Sequence, residues 1–244
     1  MKKHVFYCLL LIAPGLVSMG LSACKKDKMD TGDINALAYP VTASPQGVSY
    51  AEWSMRWWNW IMSTPCASNP SYDPDGTFTA QNQSGPVFFL AGTSNTTAAR
   101  HVTIPSGTEI FFPIFNFIND FPCPDTAFHP AAGETMEHFL KTGATQLVDR
   151  VGNLAVTLDG VNLTRPIDYR VGTNLFYFTA HPDLASCLDA CITGASQPGV
   201  SDGYWVMLKS LPKGQHTLHF AAQLRSPDFF TIFSQDVTYS INVN

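Results

Sequence analysis

Arg100-His-Val-Thr-Ile104, Pro105-Ser106-Gly107 and Thr108-Glu-Ile-Phe-Phe-Pro-Ile-Phe-Asn116 form the stretch from which the fold is read. Two runs rich in β-branched and aromatic residues flank a tight turn, with Pro second and Gly fourth as a type I turn prefers. The spacing predicts a hairpin. The pattern recurs where Tyr204-Trp-Val-Met-Leu208 reaches Leu211-Pro-Lys-Gly214 and returns as His216-Thr-Leu-His-Phe220. Between them, Val156 to Leu163 carries Asp159-Gly160, a two-residue hairpin signal. Gly85-Pro-Val-Phe-Phe-Leu-Ala-Gly92 reads as a short strand buried on both faces, and the alternation of Val237 to Val243 as a half-buried terminal strand.

Two helices interrupt the strands. Ser49-Tyr-Ala-Glu52 is a capping box, with Val48 placed to staple against Trp53. Trp53, Trp57, Trp60 and Ile61 then recur on one helical face, Met55, Arg56, Trp58 and Met62 lie off it, and Pro65 ends the run. A stripe of period 3.6 is what a core-facing helix requires, so the tryptophans read as core rather than as a sugar platform, with Trp58 held open as an exception. A further helix is expected from about Gly133 to Arg150, weakened by its interior Gly143. Many short strands with two peripheral helices predict a mainly β protein, a single β-sandwich or jelly-roll-like domain. A split near residue 150 is the alternative.

The N-terminus carries an address. Lys2 and Lys3 precede an uncharged apolar run from Val5 to Gly20, which ends in Leu21-Ser22-Ala23-Cys24. This resembles the lipobox of bacterial lipoproteins, with cleavage between Ala23 and Cys24 and lipid on Cys24. Pro14 and Gly15 interrupt the run short of the roughly 20 apolar residues that a membrane-spanning helix needs. Each buried acyl methylene contributes about 0.8 kcal/mol to anchoring, so several chains on one cysteine hold firmly. The expected organisation is a leader over 1–23, a flexible lipid-anchored tether over 24–47 and a globular domain over 48–244. Lys25 rather than Asp follows the cysteine, which favours the outer membrane over the inner.

Composition fits an ectodomain. The chain is 45% hydrophobic and only 14% charged, with a net charge of −5. That balance excludes a disordered chain and argues against a nucleic-acid partner, which would need a basic footprint. With Cys8 in the leader and Cys24 lipidated, Cys66, Cys123, Cys187 and Cys191 remain as disulfide candidates. Four cysteines allow three connectivities; Cys66 with Cys123 and Cys187 with Cys191 is the pairing preferred here, and a zinc half-site at Cys187 and Cys191 is the rival.

The Trp-rich helix, Gly85–Gly92, Arg100 through Ile104-Pro-Ser-Gly107 to Phe111-Phe-Pro-Ile-Phe-Asn116, and Gly203-Tyr-Trp with Leu211-Pro-Lys-Gly-Gln-His216 resemble an uncharacterised family of secreted bacterial and archaeal proteins. Phe88 stands where that family has Trp. The resemblance spans nearly the whole mature globule and implies a secreted single domain, with no established activity.

The chain carries no serine-nucleophile elbow, zinc-protease helix, phosphate loop or dinucleotide fingerprint. Carboxylate pairs follow no spacing rule, which keeps Glu109, Asp120, Asp125 and Asp159 open as catalytic groups, although Asp159 suits a turn and Glu109 a solvent-facing strand position. Asp73-Pro-Asp75-Gly76 is a fragment of a calcium loop, but Ser71 and Asn82 occupy positions that would need acids. His216 and His219 fall on opposite sides of a strand and cannot share a metal. No cofactor is expected. Asn116, Asn119 and Asp120, polar groups at the end of an apolar strand, form with Trp58 the candidate ligand-binding set. The expected function is a non-enzymatic binding or structural module for a glycan or an envelope protein; a glycan-acting hydrolase is the alternative.

Overall fold

The computed structural model describes residues 33–228 and 230–244, so the leader, Cys24 and the first part of the tether lie outside the described residues. Among the described residues, three α-helices, α1 (Ile34–Leu37), α2 (Tyr50–Met62) and α3 (Met136–Val148), accompany ten strands. These are β1 (Val87–Phe89), β2 (Thr97–Ile104), β3 (Glu109–Asp120), β4 (Val151–Leu158), β5 (Val161–Asn162), β6 (Arg170–Gly172), β7 (Phe176–Thr179), β8 (Ser196–Leu208), β9 (Gly214–Arg225) and β10 (Thr231–Val243). One sheet runs β1-β3-β8-β6 with β7 also on β8, and the other runs β2-β10-β9-β4-β5. The mainly β, sandwich-like class expected from the sequence is the observed one. No division falls near residue 150.

The strand predictions hold, but two of the three hairpins do not. β2 and β3 lie in different sheets, because β1 and β8 occupy both edges of β3, and β2 pairs instead in parallel with β10. Pro105-Ser-Gly107 is therefore a corner between sheets. The β8–β9 connection is a second corner, since β9 lies between β10 and β4. Turn chemistry specifies a tight reversal, whereas long-range partners decide which strand is met. Of the three expected turns, Asp159-Gly160 alone joins paired strands, β4 and β5, with φ of 51° and 83° at its two residues.

Between the sheets lies one core, built from Ile110, Phe112, Val206 and Leu208 on one side and Leu218, Phe220, Tyr239 and Ile241 on the other. A second core covers the outer face of the β3–β8 sheet, where α2 packs Trp53, Trp57, Trp60 and Ile61 against Phe111 and Trp205. The Ser49 hydroxyl accepts from the Glu52 amide at 3.2 Å, so the capping box starts α2 where the sequence places it. Trp58, expected off the buried stripe, is buried too. Its indole N–H donates to the Ser201 hydroxyl at 2.8 Å, because β8 as well as β3 underlies the helix.

Two further expectations change together. Residues 33–47, assigned to the tether, are part of the globule: Ile34 is fully buried, the Tyr39 amide donates to Met207 O and the Lys209 amide to Leu37 O. This segment also buries Glu109, which accepts from the Tyr39 hydroxyl at 2.7 Å and the Gln46 amide at 3.2 Å instead of facing solvent. That hydrogen bond raises the Tyr39 pKa above the usual phenol value. The tether reading then rests on residues 25–32, outside the described residues.

Gly143, the residue that weakens α3 as a prediction, has a packing role. A Cβ there would stand 2.5 Å from Asn119 Nδ2, which donates to Leu140 O at 2.9 Å.

Candidate functional site

A β-bulge builds the site. Register along β3 and β8 shifts between Pro113 and Phe115, so Ile114 and Phe115 both turn toward the inter-sheet core. The residues after the bulge change faces: Asn116 joins the side where Ile118 meets the α2 core, while Phe117 packs inward. Such an inserted residue re-aims every side chain downstream. Asn116 pairs in register with Gly203, where a Cβ would come within 2.5 Å of Phe115 O and 2.8 Å of Asn116 Cα. Only glycine permits that approach.

Asn116 opens onto a cavity of about 370 Å3 whose walls include Trp57, Trp58, Tyr72, Phe115, Phe233 and Gln235. The Gln235 amide braces the bulge, donating to Ile114 O, and its oxygen accepts from the Thr93 amide at 3.3 Å. Gly92 lets Gln235 in, since a Cβ there would meet its Oε1 at 2.7 Å. Arg100, fully buried, anchors this segment by donating to Ala91 O at 2.8 Å, Gly92 O at 3.0 Å and the Tyr239 hydroxyl at 2.6 Å. The Asn116 Nδ2 is buried without a hydrogen-bond partner among the described residues. An unpaired buried donor costs about 1–3 kcal/mol, so it calls for an explanation. No charged residue among the described residues lines the cavity.

Of the four candidate ligand-binding residues, the structure brings Trp58 and Asn116 together and separates the other two. Asn119 is on the opposite face, bonded to α3. Asp120 is buried, accepts from the Gln197 amide, and lies with the Cys123 and Cys191 sulfurs in one cluster of atoms within 4.8 Å. Burial first, and the neighbouring Asp189 carboxylate second, push its pKa up to about 7. Residues 116–120 continue β3 rather than forming a loop at the rim. Sequence reasoning missed Gln235, Thr93 and Leu188; none stands in a recognisable motif, and only the fold brings them to the cavity.

The disulfides are Cys66–Cys187 and Cys123–Cys191, not the preferred pairing. The reason is topological. The loop after β7 returns to the end of α2, where the His181 amide donates to Met62 O and the Cys66 amide to Asp183. The same loop then runs on to the end of β3, beside Cys123. All four sulfurs are thus in disulfides, and the cluster of Asp120 with Cys123 and Cys191 offers no free thiolate. The calcium-loop fragment has another role: Asp73 accepts from the amides of Asp75, Gly76 and Phe78, and Asp75 from Thr77. The turn it caps covers the edge of β2, whose His101 amide donates to Asp75 O. None of Glu109, Asp120, Asp125 and Asp159 lines this cavity. Asp159 instead contacts buried His216 at 2.7 Å, with His219 on the other face of β9.

No family model and no curated protein matches the chain. Among solved structures, the solution structure of Amebosin aligns at 12% identity and a TM-score of 0.17, over 62% of this chain and 98% of that one. PbICP-C, from a structure titled as its complex with falcipain-2, aligns at 10% identity and a TM-score of 0.22, over 66% of this chain and 100% of that one. At these scores neither bears on the fold or on function. No helix among the described residues is long and apolar enough to cross a membrane.

Proposed function

We propose that the chain is a cell-envelope lipoprotein, held by lipid on Cys24, whose sandwich domain binds a compact, uncharged, hydroxyl- or carbonyl-bearing ligand such as a sugar ring at the bulge cavity. The observation that carries this reading is the Asn116 amide, unpartnered among the described residues, in an aromatic-walled cavity that no described charged residue lines. A buried amide donor gains most from a ligand oxygen, and aromatic walls with few placed polar groups are common to small-molecule sites. None of the described lining residues is a carboxylate, which supports binding over carboxylate-paired hydrolysis, a reaction that needs two such groups across the substrate. The sequence segments behind the family resemblance supply Trp57, Trp58, Gly92, Asn116 and Gly203, which all stand at or against this cavity.

The site is tested by calorimetric titration of the full chain in detergent with monosaccharides and polyols. Saturable binding that Asn116→Ala weakens at least tenfold is expected; binding insensitive to Asn116, or none across the panel, rejects the site. The anchor is tested separately. Cys24→Ser should give an unprocessed or soluble product, and unchanged processing with unchanged membrane partitioning rejects lipidation.

A further inference from the structure

A second and larger depression, about 750 Å3, shares no lining residue with the bulge cavity. Its floor is aromatic. Trp53, Trp60, Phe89 and Phe178 are each more than nine-tenths buried, and Phe89 packs on Trp53 and Trp60 with ring centroids 6.2 and 5.7 Å apart. Its rim is exposed and carries hydroxyls and amides: Asn59 from α2 and Ser63 at its C-cap, Asn82 and Ser84 from the segment before β1, Thr179 and Ser196 from β7 and β8.

Three features select the occupant. First, among the described residues Arg56 is the one charged residue in the lining and no carboxylate joins it; Glu52 already pairs at 3.2 Å with Arg56, whose guanidinium lies 4.8 Å from the Trp53 ring centroid. An ionic ligand finds little to bind. Second, the β1 edge is closed to an added peptide strand, because the Gln83 side chain accepts from the Phe89 amide at 3.0 Å and donates to its carbonyl at 2.8 Å. Third, the lining runs along α2. Trp53, Arg56, Trp60 and Ser63 follow one flank of α2 over ten residues, about 15 Å of helix rise. Asn59 and Asn82 use their amide nitrogens on Met55 O and the Thr64 hydroxyl, which leaves each amide oxygen without a protein donor among the described residues.

We infer that this groove is a second binding site, for a linear and predominantly uncharged glycan strand lying along α2. Sugar rings present C–H faces to an aromatic floor and hydroxyls to a rim of amides and hydroxyls, and a strand uses the groove's length where a single ring does not. The inference is independent of the bulge cavity and of the lipid anchor.

The test is a titration of the full chain in detergent with chitohexaose, maltohexaose and their monomers, followed by tryptophan fluorescence and calorimetry. Arg56 and Asn59 are exposed, so the double variant Arg56→Ala/Asn59→Ala should keep the wild-type melting temperature. Expected is saturable binding of at least one hexaose, at least tenfold tighter than its monomer, weakened at least tenfold in the double variant and unchanged in Asn116→Ala. No saturable hexaose binding overturns the inference, as does hexaose binding that Asn116→Ala abolishes and the double variant leaves intact. Loss of monosaccharide binding in Asn116→Ala bears only on the cavity.

Discussion

The two halves of β3 belong to one strand and do different work. From Glu109 to Pro113 both faces are buried, one against the opposite sheet and the other beneath α2. From Asn116 to Asp120 the strand carries an amide at a cavity, an amide against a helix and a carboxylic acid beside a disulfide. A single inserted residue, Ile114, separates the halves. The difference teaches that period-two alternation assigns faces only up to the first bulge, and that a bulge can place polar groups where an uninterrupted strand would place apolar ones.

The strongest way to break this comparison is to attack the covered half. Trp57 is buried, donates to Leu90 O at 2.9 Å and packs against Trp205 at 5.3 Å. Trp57→Ala should cost about 3–5 kcal/mol in a denaturant melt, through lost transfer energy and a cavity; a wild-type midpoint would show that α2 is not part of the core.

Gly203→Ala probes the junction, because its new methyl meets backbone at Phe115 and Asn116, which cannot rotate away. A loss of about 1–3 kcal/mol is expected together with weaker ligand binding, as overpacking displaces the bulge.

Beyond the bulge, the readout is pH. The Asp120 pKa is about 7 in the folded chain against an ordinary 3.8, so the folded state holds its proton more tightly. The stability this contributes is complete below about 3.8 and lost as pH rises through about 7. Urea melts across that window should show wild type losing stability and Asp120→Asn losing less; parallel profiles would place Asp120 in solvent.

Asn116→Ala should have the smallest effect on stability, within about 1 kcal/mol of wild type and of either sign, since it removes a donor that has no partner among the described residues. A loss comparable to that of Trp57→Ala would mean that the polar half is core as well, and would collapse the distinction.

Much of this was legible in advance for local reasons. The capping box starts α2 at its observed residue because a serine hydroxyl and an amide three positions on are fixed neighbours. Asp159-Gly160 makes its hairpin because both residues tolerate positive φ. Trp58 and Asn116 share a cavity; Asn119 and Asp120 belong with Asn116 only by proximity in sequence, because the pleat turns Asn119 to the other face and Asp120, on the same face, stands four residues further along the strand, roughly 13 Å away.

What the sequence by itself determined is therefore what neighbouring residues decide: the turns, the start of α2, the mainly β class, and most of the segments that carry strands. The tertiary structure alone decided which strands pair across the Pro105 and Leu211 corners, which cysteines meet, that residues 33–47 pack over Glu109, and where the bulge turns Asn116. Each of these depends on partners tens of residues away, and such contacts form only where the whole fold repays the entropy of closing the intervening chain.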